Sequence, residues 1–267
     1  MSERIKKIFE TKGKKLVTFT TGGDPNLNTS LEILRTIINN GVDIIEIGMP
    51  FSDPMADGPT IQESSVRSLA NGTKINDIFE LVMNIRKFNN EIPIILMGYY
   101  NSIYNLGINN FTAKCADTGV DGLIIVDLQP EEDSELFTKS KEKDIDLIRL
   151  ITPTTDQKRL VTILNNASGF LYYVTVTGIT GQNSANIEDL KKSINTIRSS
   201  TKLPIIAGFG IKNRSDVEQI SSFTDGVVVG SSIVNIIKDN LNDKNKMINQ
   251  IKVFTKDLKE GIKKWIG

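Results

Sequence analysis

Two carboxylates in one short stretch, Glu46 and Asp57, are the residues best placed to move protons. From Asp43 to Gly48 the side chains alternate, so Ile45 and Ile47 share one face of an extended strand while Ile44, Glu46 and Gly48 share the other. If helices cover the Ile45/Ile47 face, Glu46 points into whatever the sheet encloses. Desolvation there disfavours the carboxylate and raises its pKa toward the range useful for proton transfer at neutral pH. The alternative is a Glu46 held permanently by a buried lysine or arginine. Asp57 lies on a loop stiffened by Pro50, Pro54 and Pro59. An aspartate in such a place commonly serves a turn or a helix cap, yet from this loop it can converge with Glu46 on one ligand.

Composition removes several competing chemistries. The 267 residues include no histidine and one cysteine, Cys115. Zinc and haem sites are therefore not expected, and a Ser-His-Asp nucleophile is excluded. One cysteine permits no intrachain disulfide, which fits a reducing compartment, and we expect a cytoplasmic protein, with a plastid stroma as the alternative. Lysine plus arginine and aspartate plus glutamate both total 32, so there is no basic field to gather nucleic acid or an anionic membrane. Partners should be small molecules or protein. No apolar run approaches the ~20 residues of a membrane span, and the N-terminus has no signal-peptide pattern.

The elements that must position the carboxylates read as alternating strands and helices. Leu16 to Thr21 is a strand, and further strands begin near Asp43, Pro93, Gly122, Asp146, Phe170, Pro204 and Gly226. Helical patterns fall at 28–40, 62–70, 76–89, 109–118, 130–143, 156–167, 187–199 and 213–222. Gly41 and Gly119 each end a helix just before an apolar strand, as a glycine C-cap should. Eight strands alternating with helices imply a parallel sheet, and that number favours an α/β single-domain (β/α)8 TIM barrel over 1–267. A doubly wound open sheet is the runner-up. Ile5, Ile8 and Phe9 mark an extra N-terminal helix, and Met247, Ile251, Phe254, Leu258, Ile262 and Trp265 mark a closing amphipathic helix.

In such barrels chemistry sits at the C-terminal strand ends. Here those ends are Thr20/Thr21, Glu46/Gly48, Tyr99, Asp127, Thr152, Thr175, Gly208/Gly210 and Gly230/Ser231. None is a lysine, which disfavours imine chemistry and leaves acid–base work by carboxylates. Carbon–carbon cleavage without an imine or a metal would demand a substrate that stabilises its own carbanion or tautomer. The last two strands end in Gly208-Phe209-Gly210 and Gly230-Ser231-Ser232, the second opening an apolar helix. Backbone N–H groups at such a helix start bind phosphate; the alternative is that the glycines only permit turns and a serine caps the helix. Phe19, Tyr99, Phe170, Tyr172 and Phe209 lie where they could line a flat pocket for an aromatic ring; taken singly each reads better as ordinary core, and their shared location is the argument for the pocket.

The run Ile45 to Gln62, IEIGMPFSDPMADGPTIQ, resembles the signature of the tryptophan synthase alpha chain family. The likeness extends to TGGDP at 21–25, GITG at 178–181, GFGI at 208–211 and GSSI at 230–233, in order along essentially the whole chain. It implies a single-domain barrel that cleaves indole-3-glycerol phosphate to indole and glyceraldehyde 3-phosphate. By position, Glu46 would be the general acid/base and Asp57 would hydrogen-bond the indole N–H. Thr180, Gly181, Gly210, Gly230 and Ser231 would surround the phosphate, with Phe19, Tyr99, Tyr172 and Phe209 around the ring. Segments 52–60 and 178–187 would act as lids. No cofactor is expected in this chain; pyridoxal phosphate (PLP) belongs to the family's beta chain, the expected partner in an alpha2-beta2 heterotetramer. Alternatives are a stand-alone lyase releasing free indole and a non-catalytic subunit that activates a PLP enzyme.

Overall fold

The computed structural model describes residues 1–174, 184–208 and 210–263. Among these the strands are β1 (Lys15–Thr21), β2 (Ile44–Gly48), β3 (Ile94–Gly98), β4 (Gly122–Ile125), β5 (Asp146–Leu147), β6 (Arg149–Ile151), β7 (Leu171–Val174), β8 (Ile205–Gly208) and β9 (Gly226–Val229). The helices are α1 (Glu3–Glu10), α2 (Leu27–Asn39), α3 (Pro59–Ala70), α4 (Ile75–Arg86), α5 (Tyr100–Leu106) and α6 (Ile108–Thr118). They continue as α7 (Ser134–Lys141), α8 (Gln157–Asn165), α9 (Ser184–Ser200), α10 (Arg214–Ser221), α11 (Ser231–Asp239) and α12 (Lys244–Lys263).

Every pairing is parallel, and the sheet runs β5-β4-β3-β2-β1-β9-β8-β7-β6. Its two ends, β5 and β6, are separated only by Ile148, so the sheet returns to its own beginning as a nearly closed TIM barrel. The expected fifth strand is therefore two pieces. Its first half pairs with β4, and its second half, after Ile148 donates to the Leu123 carbonyl at 2.9 Å, pairs with β7. The stagger that closes a barrel requires such a change of neighbour along a strand. Helix α5 was not foreseen from periodicity. Its N-terminus is held from the next strand's loop, where Asp127 Oδ1 accepts the Tyr100 N–H at 2.8 Å. A carboxylate suits that end of a helix.

Alternation along the strands separates two cores. Ile45, Ile47, Ile94, Leu96, Leu123 and Leu147 face the helices, whereas Ile44, Ile95, Ile124, Ile148, Ile206 and Val228 face the barrel interior. Helix α1 closes the interior from below. Ile5 is fully buried among the inward residues, and Phe9 packs on Phe170 with ring centroids 5.7 Å apart. Burial of a side chain the size of Ile5 contributes roughly 2 kcal/mol. Ser2 Oγ and Arg4 Nη1 donate to the buried Asp121 carboxylate at 2.6 and 3.2 Å, which fixes the plug in place. Phe170 thus belongs to this floor and not to a pocket at the strand ends. Among the described residues no helix is long and apolar enough to cross a membrane.

Candidate active site

Glu46 stands on β2, registered opposite Phe19 of β1 and Ile95 of β3. Its neighbours in alternation face inward, so it does too, and it is fully buried. Neither carboxyl oxygen has a hydrogen-bond partner among the described residues, and no lysine or arginine among them pairs with it. The permanent ion pair considered from the sequence is absent there. Burial alone pushes the carboxyl up to about 8. At neutral pH Glu46 is therefore a protonated acid that can give up a proton within the working range.

Asp57 sits on the loop between β2 and α3, held by a clamp that crosses the sheet. The Tyr99 hydroxyl donates to Asp57 Oδ2 at 3.0 Å and accepts from the Ala56 N–H at 3.0 Å. The Gln62 amide donates to the Asp57 carbonyl at 2.9 Å, and the Asp57 N–H donates to the Pro54 carbonyl at 3.0 Å. Asp57 thus makes the turn that its sequence suggested and still presents its carboxylate inward. Burial raises its pKa, and the Tyr99 hydrogen bond works against that rise. Phe51 stacks on Tyr99, with ring centroids 5.0 Å apart and planes 21° from parallel.

The two carboxylates act electrostatically on one ring. Burial first, and then the negative charge of Glu46 and of Asp57, pushes the Tyr172 phenol well above its ordinary value. Phe19 and Tyr172 lie in the inward cluster, seated against glycines at neighbouring strand ends. A Cβ on Gly48 would come 2.7 Å from Phe19 Cζ, and one on Gly208 would come 2.7 Å from Tyr172 Cε1. These contacts leave no room for any larger residue. Gly48 and Gly208 were read from the sequence as strand ends, and their service to the aromatic rings becomes visible only when the register is known.

At the other rim, α11 starts at Gly230 with no side-chain cap, and Ser231 is its exposed first residue. The capping serine considered from the sequence is not there. Ser232 Oγ instead donates to the Ile211 carbonyl at 2.6 Å, tying the loop after β8, with Gly210 at φ +61°, to the first turn of α11. Uncapped N–H groups at such a start suit an anion. Thr180, Gly181 and Phe209, and most of the 178–187 segment, lie outside the described residues. The inward positions also include Ile61, Met97, Val126 and Leu150, which the sequence reading passed over. The period-two pattern of their strands was the available signal for Met97 and Leu150.

The fold that carries these residues is shared with known proteins. A family model described as tryptophan synthase alpha chain matches residues 5–263. A tryptophan synthase alpha chain from Petrotoga mobilis is 44% identical over 258 residues, covering 96% of this chain and 98% of that protein. Among solved structures, tryptophan synthase subunit alpha from Legionella pneumophila is similar with a TM-score of 0.91 at 32% identity, covering 99% of each chain. A protein of Aquifex aeolicus superposes with a TM-score of 0.87 at 37% identity over 98% of both chains.

Proposed function

Since the chain belongs to the tryptophan synthase alpha chain family and cleaves indole-3-glycerol phosphate in tryptophan biosynthesis, we propose that Glu46 and Asp57 perform that cleavage. Glu46, protonated at neutral pH, gives its proton to C3 of the indole ring, and the ring becomes a cationic indolenine. The resulting carboxylate takes the proton of the hydroxyl on the adjoining side-chain carbon. That oxygen forms the aldehyde, the bond to C3 breaks, and its electron pair restores the aromatic indole. Glu46 ends protonated, as it began, and the products are indole and glyceraldehyde 3-phosphate. The Asp57 carboxylate accepts the indole N–H and stabilises the positive charge that builds there.

Phe19, Tyr99, Tyr172 and Phe209 are assigned to the ring, and Thr180, Gly181, Gly210, Gly230 and Ser231 to the phosphate. The observation that carries this reading is a fully buried Glu46 with no described counter-charge, beside a ring that also senses Asp57. Indole release by a folded Glu46→Gln variant tests it, and wild-type turnover would remove Glu46 from the role. Asp57→Asn keeps the loop's shape but loses the charge. We expect kcat to fall roughly a hundredfold with little change in thermal midpoint, in line with loss of one group that stabilises transition-state charge; steady-state indole production checks it.

The family works with a beta subunit. For this chain we assign an alpha2-beta2 heterotetramer in the cytoplasm, with PLP in the beta chain and no cofactor in this one. Met55, 85% exposed beside Asp57, and Tyr104, 69% exposed on α5, give the rim of the site the apolar character of a docking face.

A further inference from the structure

Helix α3 follows Asp57 directly, yet its buried positions are all serines: Ser64, Ser65 and Ser68. The polar groups on that side of the helix are matched by the turn that leaves β1. Thr21 Oγ1 and Ser64 Oγ are 2.5 Å apart, and Ser68 Oγ donates to the Gly22 carbonyl at 2.7 Å. Arg67 Nε and Nη2 donate to Asp24 Oδ1 and Oδ2, both at 2.8 Å, and Asn71 Nδ2 donates to the Pro25 carbonyl at 2.8 Å. Asp24 is 1% exposed. Gly23, at φ +79°, lets the turn press so close that a Cβ there would lie 2.3 Å from Thr73 Oγ1.

Apolar packing is non-directional and tolerates sliding, whereas a bidentate arginine–carboxylate pair fixes both distance and rotation. The strand at one end of this link is in register with the acid: Phe19 lies opposite Glu46, and Thr21 opposite Gly48. The helix at its other end carries Gln62, whose amide holds the Asp57 carbonyl. We infer that Asp24 and Arg67 are positioning residues, and that their pair, with Ser64 and Ser68, sets where Asp57 stands relative to Glu46. The inference rests on the roles proposed for those two carboxylates.

Steady-state kinetics of Arg67→Lys test it, measured well below the thermal midpoint of each variant. Lysine keeps the charge and loses the fork. A displacement of Asp57 by about 1 Å should lower kcat roughly tenfold to a hundredfold. KM should stay within about twofold, because the groups assigned to the phosphate follow β7, β8 and β9 in the chain and none belongs to β1, β2 or α3. Asp24→Asn should act in the same way, and the double variant should be no slower than the slower single one, since both break one link. Ser68→Ala removes one hydroxyl and no charge, and should slow kcat several-fold; it keeps the test open should Arg67→Lys fail to fold. Wild-type kcat in these variants, with only a lower thermal midpoint, overturns the inference while a silent Glu46→Gln leaves the parent reading standing. Wild-type turnover in Glu46→Gln overturns both.

Discussion

Glu46→Gln is expected to lower indole release by at least about a thousandfold while the barrel remains folded. General acid–base catalysis contributes roughly a hundredfold to ten-thousandfold, and Glu46 is asked to act twice, first as acid toward the ring carbon and then as base toward the hydroxyl. Glutamine has the same size and can do neither. It also brings no charge into a site that already accepts a neutral, fully buried acid without a described hydrogen-bond partner, so folding is not the step that fails. The wild-type pH profile should agree in sign. The first proton comes from Glu46 in its acid form, so kcat/KM, which reports ionisations of the free enzyme, holds below pH 8 and declines above it, because its carboxyl is pushed up to about 8. Stopped assays of indole from pH 6 to 9.5 check both expectations, with the beta chain present and absent.

The same substitution should stabilise the protein at alkaline pH. Burial raises the Glu46 pKa from 4.5 in water to about 8 in the fold. Between those values the folded state holds a proton that the unfolded chain has released, so stability is full below pH 4.5 and is lost as pH rises through 8. Every tenfold difference in proton affinity between the two states corresponds to about 1.4 kcal/mol, so the loss is on the order of 3–5 kcal/mol. Glutamine does not titrate. Urea unfolding should therefore find the variant and wild type closest near pH 4.5, and the variant more stable by that order at pH 8.5. Asp24, Asp57 and Asp146, whose pKa values burial also raises, titrate in both proteins and largely cancel in the difference. A protein stabilised by losing its catalytic acid is what a site that holds a desolvated carboxyl for function should yield.

Much of this was legible in the chain. The Ile45/Ile47 alternation fixes the direction of Glu46, Gly41 and Gly119 mark helix ends that are observed at φ +93° and +88°, and Ile5 and Phe9 announce the helix that plugs the floor. What remained hidden depends on partners far away in sequence. Nothing local says that Tyr99, placed from the sequence around the substrate ring, spends its hydroxyl on Asp57, 42 residues away. The service of the α3 serines is equally hidden, because their partners lie at the end of β1 and on the turn after it, more than 40 residues earlier. Helix α5 escaped notice because its N-terminus borrows Asp127 from the next strand's loop. The break in the fifth strand follows from a change of neighbour at Ile148, which periodicity within one strand cannot register. Arg149, next in the chain, faces the helices and forms a buried pair with Asp133 ahead of α7, a charge where alternation alone calls for an apolar side chain.

The most direct measurement is the titration of the Glu46 carboxyl itself, by carbon NMR of protein labelled at the glutamate side-chain carboxyl, with Glu46→Gln identifying the resonance. A proton carrier in this site must titrate near 8. A midpoint near the ordinary 4.5 would mean an acid already ionised at neutral pH, with no proton to give the ring, and would contradict the proposed mechanism at its first step.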